Sequence, residues 1–170
     1  MATSHAVSLE KPGNNESQNN MQRTHTKETF TFTARGTMSE VAPLFGADKE
    51  RLWAPGWNPE FMYPVPSADE PGMVFAVEKS RQERSVWVNT EFDVANGRMQ
   101  YAYMIPDLLV TVITLHLSPQ GSNTRVDVTY ERTALTSHTD ARVQQMAIAD
   151  RAAGLEWEAQ INACLARMRK

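Results

Sequence analysis

An α+β domain, with a curved antiparallel sheet wrapped around one long C-terminal helix, is the expected fold of this 170-residue chain. Three features lead there. Short runs of alternating apolar and polar residues recur between Lys27 and Leu135 with turn residues between them, the mark of half-buried strands. The links between those runs are too short for parallel crossovers, so the strands should form an antiparallel meander. After Thr136 the apolar period becomes helical, and no proline interrupts 140–169.

The elements follow in order. Phe30 and Phe32 alternate with Thr29, Thr31 and Thr33 in a first strand, which Gly36 ends. Ser39 is placed to cap a short helix through Phe45, with Pro43 in its first turns and Gly46 as its stop. Asp48 opens a second short turn, Lys49 to Trp53, closed by Pro55-Gly56. Extended segments are expected at 60–65, 73–79, 84–93, 98–105, 108–117 and 124–135, with Asn96-Gly97 as a hairpin signal. Ser137-x-x-Asp140 has capping-box spacing at the start of the helix. A stripe of Val143, Ala147, Gly154, Trp157, Ile161, Leu165 and Met168 must then be buried, and the sheet is the only surface that can cover it. A bent sheet gripping one helix leaves a space between them, where apolar ligands bind.

Residues 1–25 are expected as a disordered tail and 26–170 as the domain. The run Pro12 to Asn20 offers almost nothing to bury, while ordering it costs about 1–2 kcal/mol per residue.

Composition narrows the function. Hydrophobic residues at 41% and charged residues at 22% fit a globular domain. Seventeen basic against twenty acidic side chains, net −3, give no electrostatic footprint for nucleic acid or an anionic membrane. The longest apolar stretch, 108–117, is broken by Thr111, Thr114 and His116, and no secretory h-region follows Met1, so no membrane insertion and a cytoplasmic location are expected. A single cysteine, Cys164, excludes an intrachain disulfide. Histidines at metal-ligand spacing, a glycine-rich phosphate loop and a G-x-S-x-G elbow are all missing from the sequence, so neither a metal nor a cofactor is expected.

Strand parity nominates the cavity face. Val126, Val128, Tyr130 and Ala134 should point inward, with Arg125, Asp127, Thr129, Glu131 and Thr133 solvated. Phe75, Tyr101 and Tyr103 share inner faces of earlier strands, and each tyrosine offers an apolar body with a hydroxyl that needs a partner. Over 86–92 two faces remain open: Val86, Val88, Thr90 and Phe92, or Trp87, Asn89 and Glu91. Trp57 flanks a Pro-Gly turn near the mouth, and Trp157 lies on the helix stripe. Asp150 falls near that stripe. There it is either a polar anchor or general base in the cavity, or an edge residue reaching solvent, Arg142 or Arg151.

Four segments carry a family likeness: Glu50-Arg51-Leu52-Trp53-Ala54-Pro55-Gly56-Trp57, Val86 to Asp93, Met104-Ile105-Pro106, and Thr124 to Tyr130 running on to Ala134-Leu135. In their order they resemble the helix-grip, START/Bet v 1-like superfamily (SRPBCC), in particular its polyketide cyclase/dehydrase and lipid-transport type, over about 27–168. The resemblance implies a cavity for a hydrophobic or amphipathic, lipid- or polyketide-like molecule. The residues nominated to line it are Trp57, Phe75, Val88, Tyr101, Tyr103, Val128, Tyr130, Asp150 and Trp157. A second reading is a cyclase/dehydrase-type enzyme using Asp150 or Glu91 for proton transfer. A third is a protein-interaction module such as a chaperone-ATPase activator. A monomer or a homodimer fits each of them.

Overall fold

The computed structural model describes residues 22–80 and 83–170. Most of the expected tail lies outside the described residues. Its last part is already built into the fold: the Thr24 N–H donates to Asp140 Oδ1 at 2.9 Å, and His25 opens the first strand. The first strand therefore starts one residue before the expected boundary.

In chain order the elements are β1 (His25–Ala34), α1 (Met38–Val41), β2 (Pro59–Tyr63), β3 (Val74–Ser80), β4 (Glu83–Asp93), β5 (Arg98–Ile105), β6 (Leu109–Gln120), β7 (Asn123–Ala134), α2 (Asp140–Ala152) and α3 (Gly154–Met168). Two 3-10 turns, Ala42–Phe45 and Lys49–Leu52, lie between α1 and β2. The seven strands form one antiparallel sheet ordered β1-β7-β6-β5-β4-β3-β2. Among the described residues, no helix is long and apolar enough to cross a membrane.

Local chemistry moved three boundaries. Thr37, not Ser39, caps α1, because the Glu40 carboxylate accepts its N–H at 2.7 Å. The helix then tightens to 3-10 at Ala42–Phe45, since Pro43 has no N–H to continue an α pattern. At the C-terminal helix, Thr136 and Thr139 form the cap around a short 3-10 turn, in place of Ser137 and Asp140.

The single long helix is two. Ala153 ends α2, its N–H bonded to the Asp150 carbonyl in a 3-10 pattern, and α3 starts at Gly154. The break sits where the helix meets β1: a Cβ on Gly154 would lie 3.3 Å from the Thr31 carbonyl oxygen and 3.4 Å from the Phe30 ring. Absence of a side chain lets the strand backbone approach closely. Val143, Ala147, Ile161 and Leu165 are buried as expected, joined by Cys164, whereas Met168 at the helix end is 60% exposed.

β4 carries a bulge at Thr90: Asn89 pairs with Tyr101, but Glu91 pairs with Gln100. One extra residue inverts strand parity. Trp87 and Asn89 therefore share the inner face with Tyr103 and Tyr101, while Phe92, beyond the bulge, pairs with buried Met99. Neither uniform alternation expected for 86–92 holds along the whole strand.

Candidate functional site

Sheet register assembles one row of inward side chains across six strands. Phe61 pairs with Phe75, Phe75 with Trp87, Trp87 with Tyr103, Tyr103 with Thr111, and Thr111 with Arg132. The aromatic part is a ladder with ring centroids 6.0, 5.6 and 4.1 Å apart, the last two steps stacked. A second row, Asn89, Tyr101, Ile113 and Tyr130, runs beside it.

α2 and α3 approach β1 most closely, and α2 also β7. Towards the central strands, Met146, Trp157 and Gln160 of these helices face Phe75, Trp87 and Tyr101 across a gap. A cavity of about 400 Å³ occupies this space. Its walls include all four tryptophans of the chain, Trp53, Trp57, Trp87 and Trp157. Three of them have their N–H committed to protein: Trp53 to the Leu44 carbonyl at 2.7 Å, Trp57 to the Ala47 carbonyl at 2.7 Å, and Trp87 to Ser85 Oγ at 2.7 Å. Their rings are thereby held as fixed walls. Trp157 packs edge-on against Trp53 and Phe30, with centroids at 5.0 and 5.3 Å, and closes the helix side.

Two polar groups interrupt this apolar lining. Arg132 is 5% exposed, and its Nε and Nη2 donate to the two Asp150 carboxylate oxygens at 2.7 and 2.8 Å. Its Nη1 donates to Tyr103 Oη and to Thr111 Oγ1, and its guanidinium carbon stands 4.5 Å from the Tyr130 ring centroid. Burial works against the charge, but the Asp150 bond and the neighbouring tyrosines outweigh it, so the guanidinium stays ionised.

The second group is Glu50, from the 3-10 turn at the mouth. The residue as a whole is only half-buried, yet its carboxyl end is desolvated. Burial, and then the nearby Asp69 carboxylate, push its pKa well above the usual carboxylate range. Among the described residues its side chain has no hydrogen-bond or ion-pair partner. Lys79 and Glu156 mark the exposed rim.

The nominated residues separate into groups. Trp57, Phe75, Tyr101, Tyr103, Tyr130 and Trp157 line the cavity. Val88 does not: it pairs with Val74 and Ala102 on the outer face, as the parity of Trp87 requires. Val128 is fully buried on the inner face, opposite Phe30 on β1 where the helices approach the sheet most closely, and it does not line the cavity. Asp150 is buried at 7% exposure, but it is sealed against Arg132 and is absent from the cavity wall. Glu91 lies beyond the bulge on the outer face, paired with Arg98 at 2.8 Å. Two functional candidates escaped sequence reading. Arg132 shares the parity of Tyr130 and Ala134, a signal available beforehand. Glu50 sits in the Trp53–Trp57 element, but nothing in sequence spacing shows that its carboxyl enters the cavity.

No protein-family model and no curated protein matches the chain. Solved structures do. Norcoclaurine synthase from Thalictrum flavum superposes with a TM-score of 0.62 at 9% identity over 98% of each chain. The same enzyme in complex with dopamine and hydroxybenzaldehyde gives 0.64 at 12% identity, over 98% of this chain and 99% of that one. The Mll3558 protein from Rhizobium loti gives 0.56 at 19% identity, over 80% of this chain and 96% of that one. Ara h 8.0201 gives 0.58 at 12% identity, over 82% and 99%. The chain shares the helix-grip fold of these proteins.

Proposed function

From this fold and its aromatic hollow we propose that the protein binds a hydrophobic or amphipathic small molecule between the sheet and the C-terminal helices. The observation that carries the reading is the cavity of about 400 Å³ walled by all four tryptophans. The protein has aromatic surface there that its own side chains leave uncovered. Each 100 Å² of ligand surface taken from water contributes about 2.5 kcal/mol before the costs of ordering. A small aromatic guest suits rigid indole walls better than a flexible acyl chain does, because flat rings stack at little entropic cost. Two small aromatic molecules held by norcoclaurine synthase, a protein of the same fold, support this choice of class.

Titration of the purified chain with a solvatochromic naphthalene dye tests it. A saturable one-to-one blue shift is expected, with quenching of tryptophan emission. Leu115 lines the cavity, so Leu115→Trp should fill it and weaken the dye at least tenfold. Equal binding by the filled variant would place the guest elsewhere and end the proposal.

Glu50 favours a second reading, an acid–base enzyme. A carboxyl whose pKa is raised by burial beside an apolar cavity is suited to give its proton to a bound oxygen or nitrogen. Loss of turnover in Glu50→Gln with dye affinity retained would support this reading. It replaces the version that relied on Asp150 and Glu91, neither of which lines the cavity.

A further inference from the structure

Three tyrosines point hydroxyls towards the interior, and their fates differ. Tyr101 donates to the Phe45 carbonyl at 2.7 Å, so its proton is committed. Tyr103 Oη instead accepts from Arg132 Nη1, which leaves its own proton without an acceptor among the described residues. Tyr130 makes no hydrogen bond among the described residues, although its ring lies under the Arg132 guanidinium. Both Tyr103 and Tyr130 line the cavity. Both flank Arg132: Tyr103 Oη accepts from its Nη1, and its guanidinium carbon stands 4.5 Å from the Tyr130 ring centroid. Four of the five Arg132 N–H groups are already spent, two on Asp150, one on Tyr103 and one on Thr111. The cation is therefore neutralised and fixed, and what it presents to the cavity is a polarised phenol.

We propose that Tyr103 and Tyr130 form a two-donor site for one acceptor oxygen of the ligand, a carbonyl conjugated to an aromatic ring, with the Arg132–Asp150 pair as its positioning device. This rests on the cavity being the binding site and adds the ligand's functional group. A phenol O–H that a bound guest shuts away from water without an acceptor loses about 1–3 kcal/mol. A carbonyl oxygen with two lone pairs satisfies both tyrosines at once. The stacked Phe75, Trp87 and Tyr103 rings lead to that point along the sheet, so an aryl group lying against the ladder carries its carbonyl to the tyrosines.

Two probes separate this from the reading beneath it. 2-Acetylnaphthalene and 2-ethylnaphthalene have the same ring and nearly the same shape, and only the first has the oxygen. Affinities come from tryptophan quenching of the full chain, with the thermal melt confirming that each variant folds. Tyr103→Phe is expected to lower the ketone-to-alkane affinity ratio about tenfold, and Tyr130→Phe several-fold. The carbonyl stretch of bound ketone should lie below its value in hydrocarbon solvent and return towards that value in Tyr103→Phe. Arg132→Lys, which cannot hold Asp150 and Tyr103 together with one planar fork, should give an intermediate band. A ratio unchanged in both tyrosine variants, or a hydrocarbon-like band in the wild type, overturns the two-donor site while the cavity reading stands. An unshifted band in Arg132→Lys removes the positioning role. Failure of both probes to quench tryptophan overturns the cavity reading and this one with it.

Discussion

Asp150 is buried behind the cavity wall and Glu50 faces the cavity, and the two carboxylates are treated in opposite ways. Asp150 meets a guanidinium with both oxygens and disappears into the structure. Glu50 faces the cavity with a second carboxylate, Asp69, nearby. Asp69 itself is spent on the Ala47 N–H at 2.9 Å. Burial is common to both acids; the partner is not. A desolvated acid points to chemistry only when the protein leaves it unanswered.

The largest effect should come from breaking the answered acid. Asp150→Ala leaves Arg132 charged, buried and half-bonded, which should cost about 3–5 kcal/mol in urea unfolding. Replacing both partners, as Asp150→Leu with Arg132→Met, should recover most of that loss. If the double variant is no more stable than the single one, the pair is not the unit described here.

Glu50→Gln should act with the opposite sign and with a pH dependence. Because the folded-state pKa of Glu50 is raised, the native protein keeps a proton that the unfolded chain releases. Stability is full below the ordinary glutamate range and falls as pH rises, until Glu50 ionises in the folded state too. Asp69, also raised, chiefly by burial, bends the profile the same way. The Gln variant should therefore gain stability over wild type at pH 8 and lose that advantage at pH 4. Equal stability at both pH values would mean that the acid is solvated after all.

Smaller effects follow at the tyrosines and the outer face. Tyr101→Phe orphans the Phe45 carbonyl and should cost about 1–2 kcal/mol, whereas Tyr130→Phe, with no bond to lose, should change the melt little. Glu91→Gln breaks only a largely exposed pair with Arg98 and should cost less than about 0.5 kcal/mol, with dye affinity unchanged.

Alternation and turn residues were enough to lay out the meander, and the helical stripe was enough to place the C-terminal segment over it. Those signals are local, and burial of one face enforces them. What was not legible depends on register. A single bulge at Thr90 swapped the faces of β4 halfway along, so Trp87 and Glu91, two positions of equal parity, end on opposite sides. The alliance of Arg132 with Asp150 spans eighteen residues and two elements; the acid near a buried stripe stood out in the sequence, while the base on an inner strand face was passed over. Read as a pair, the two charges cancel. Glu50 was hidden for a different reason. Its carboxyl reaches the interior from an irregular turn, where no period constrains direction.

The closer seating of the helices on one edge of the sheet has a consequence for where the fold loosens first. β1 and β7 are backed by α2, and β1 also by α3, but β2 pairs only with β3 and its register is irregular. Amide exchange should accordingly run slowest in β7 and quicken strand by strand towards β2. The molecule then has a firm side and a loose side, and the loose edge can open without the whole chain coming apart.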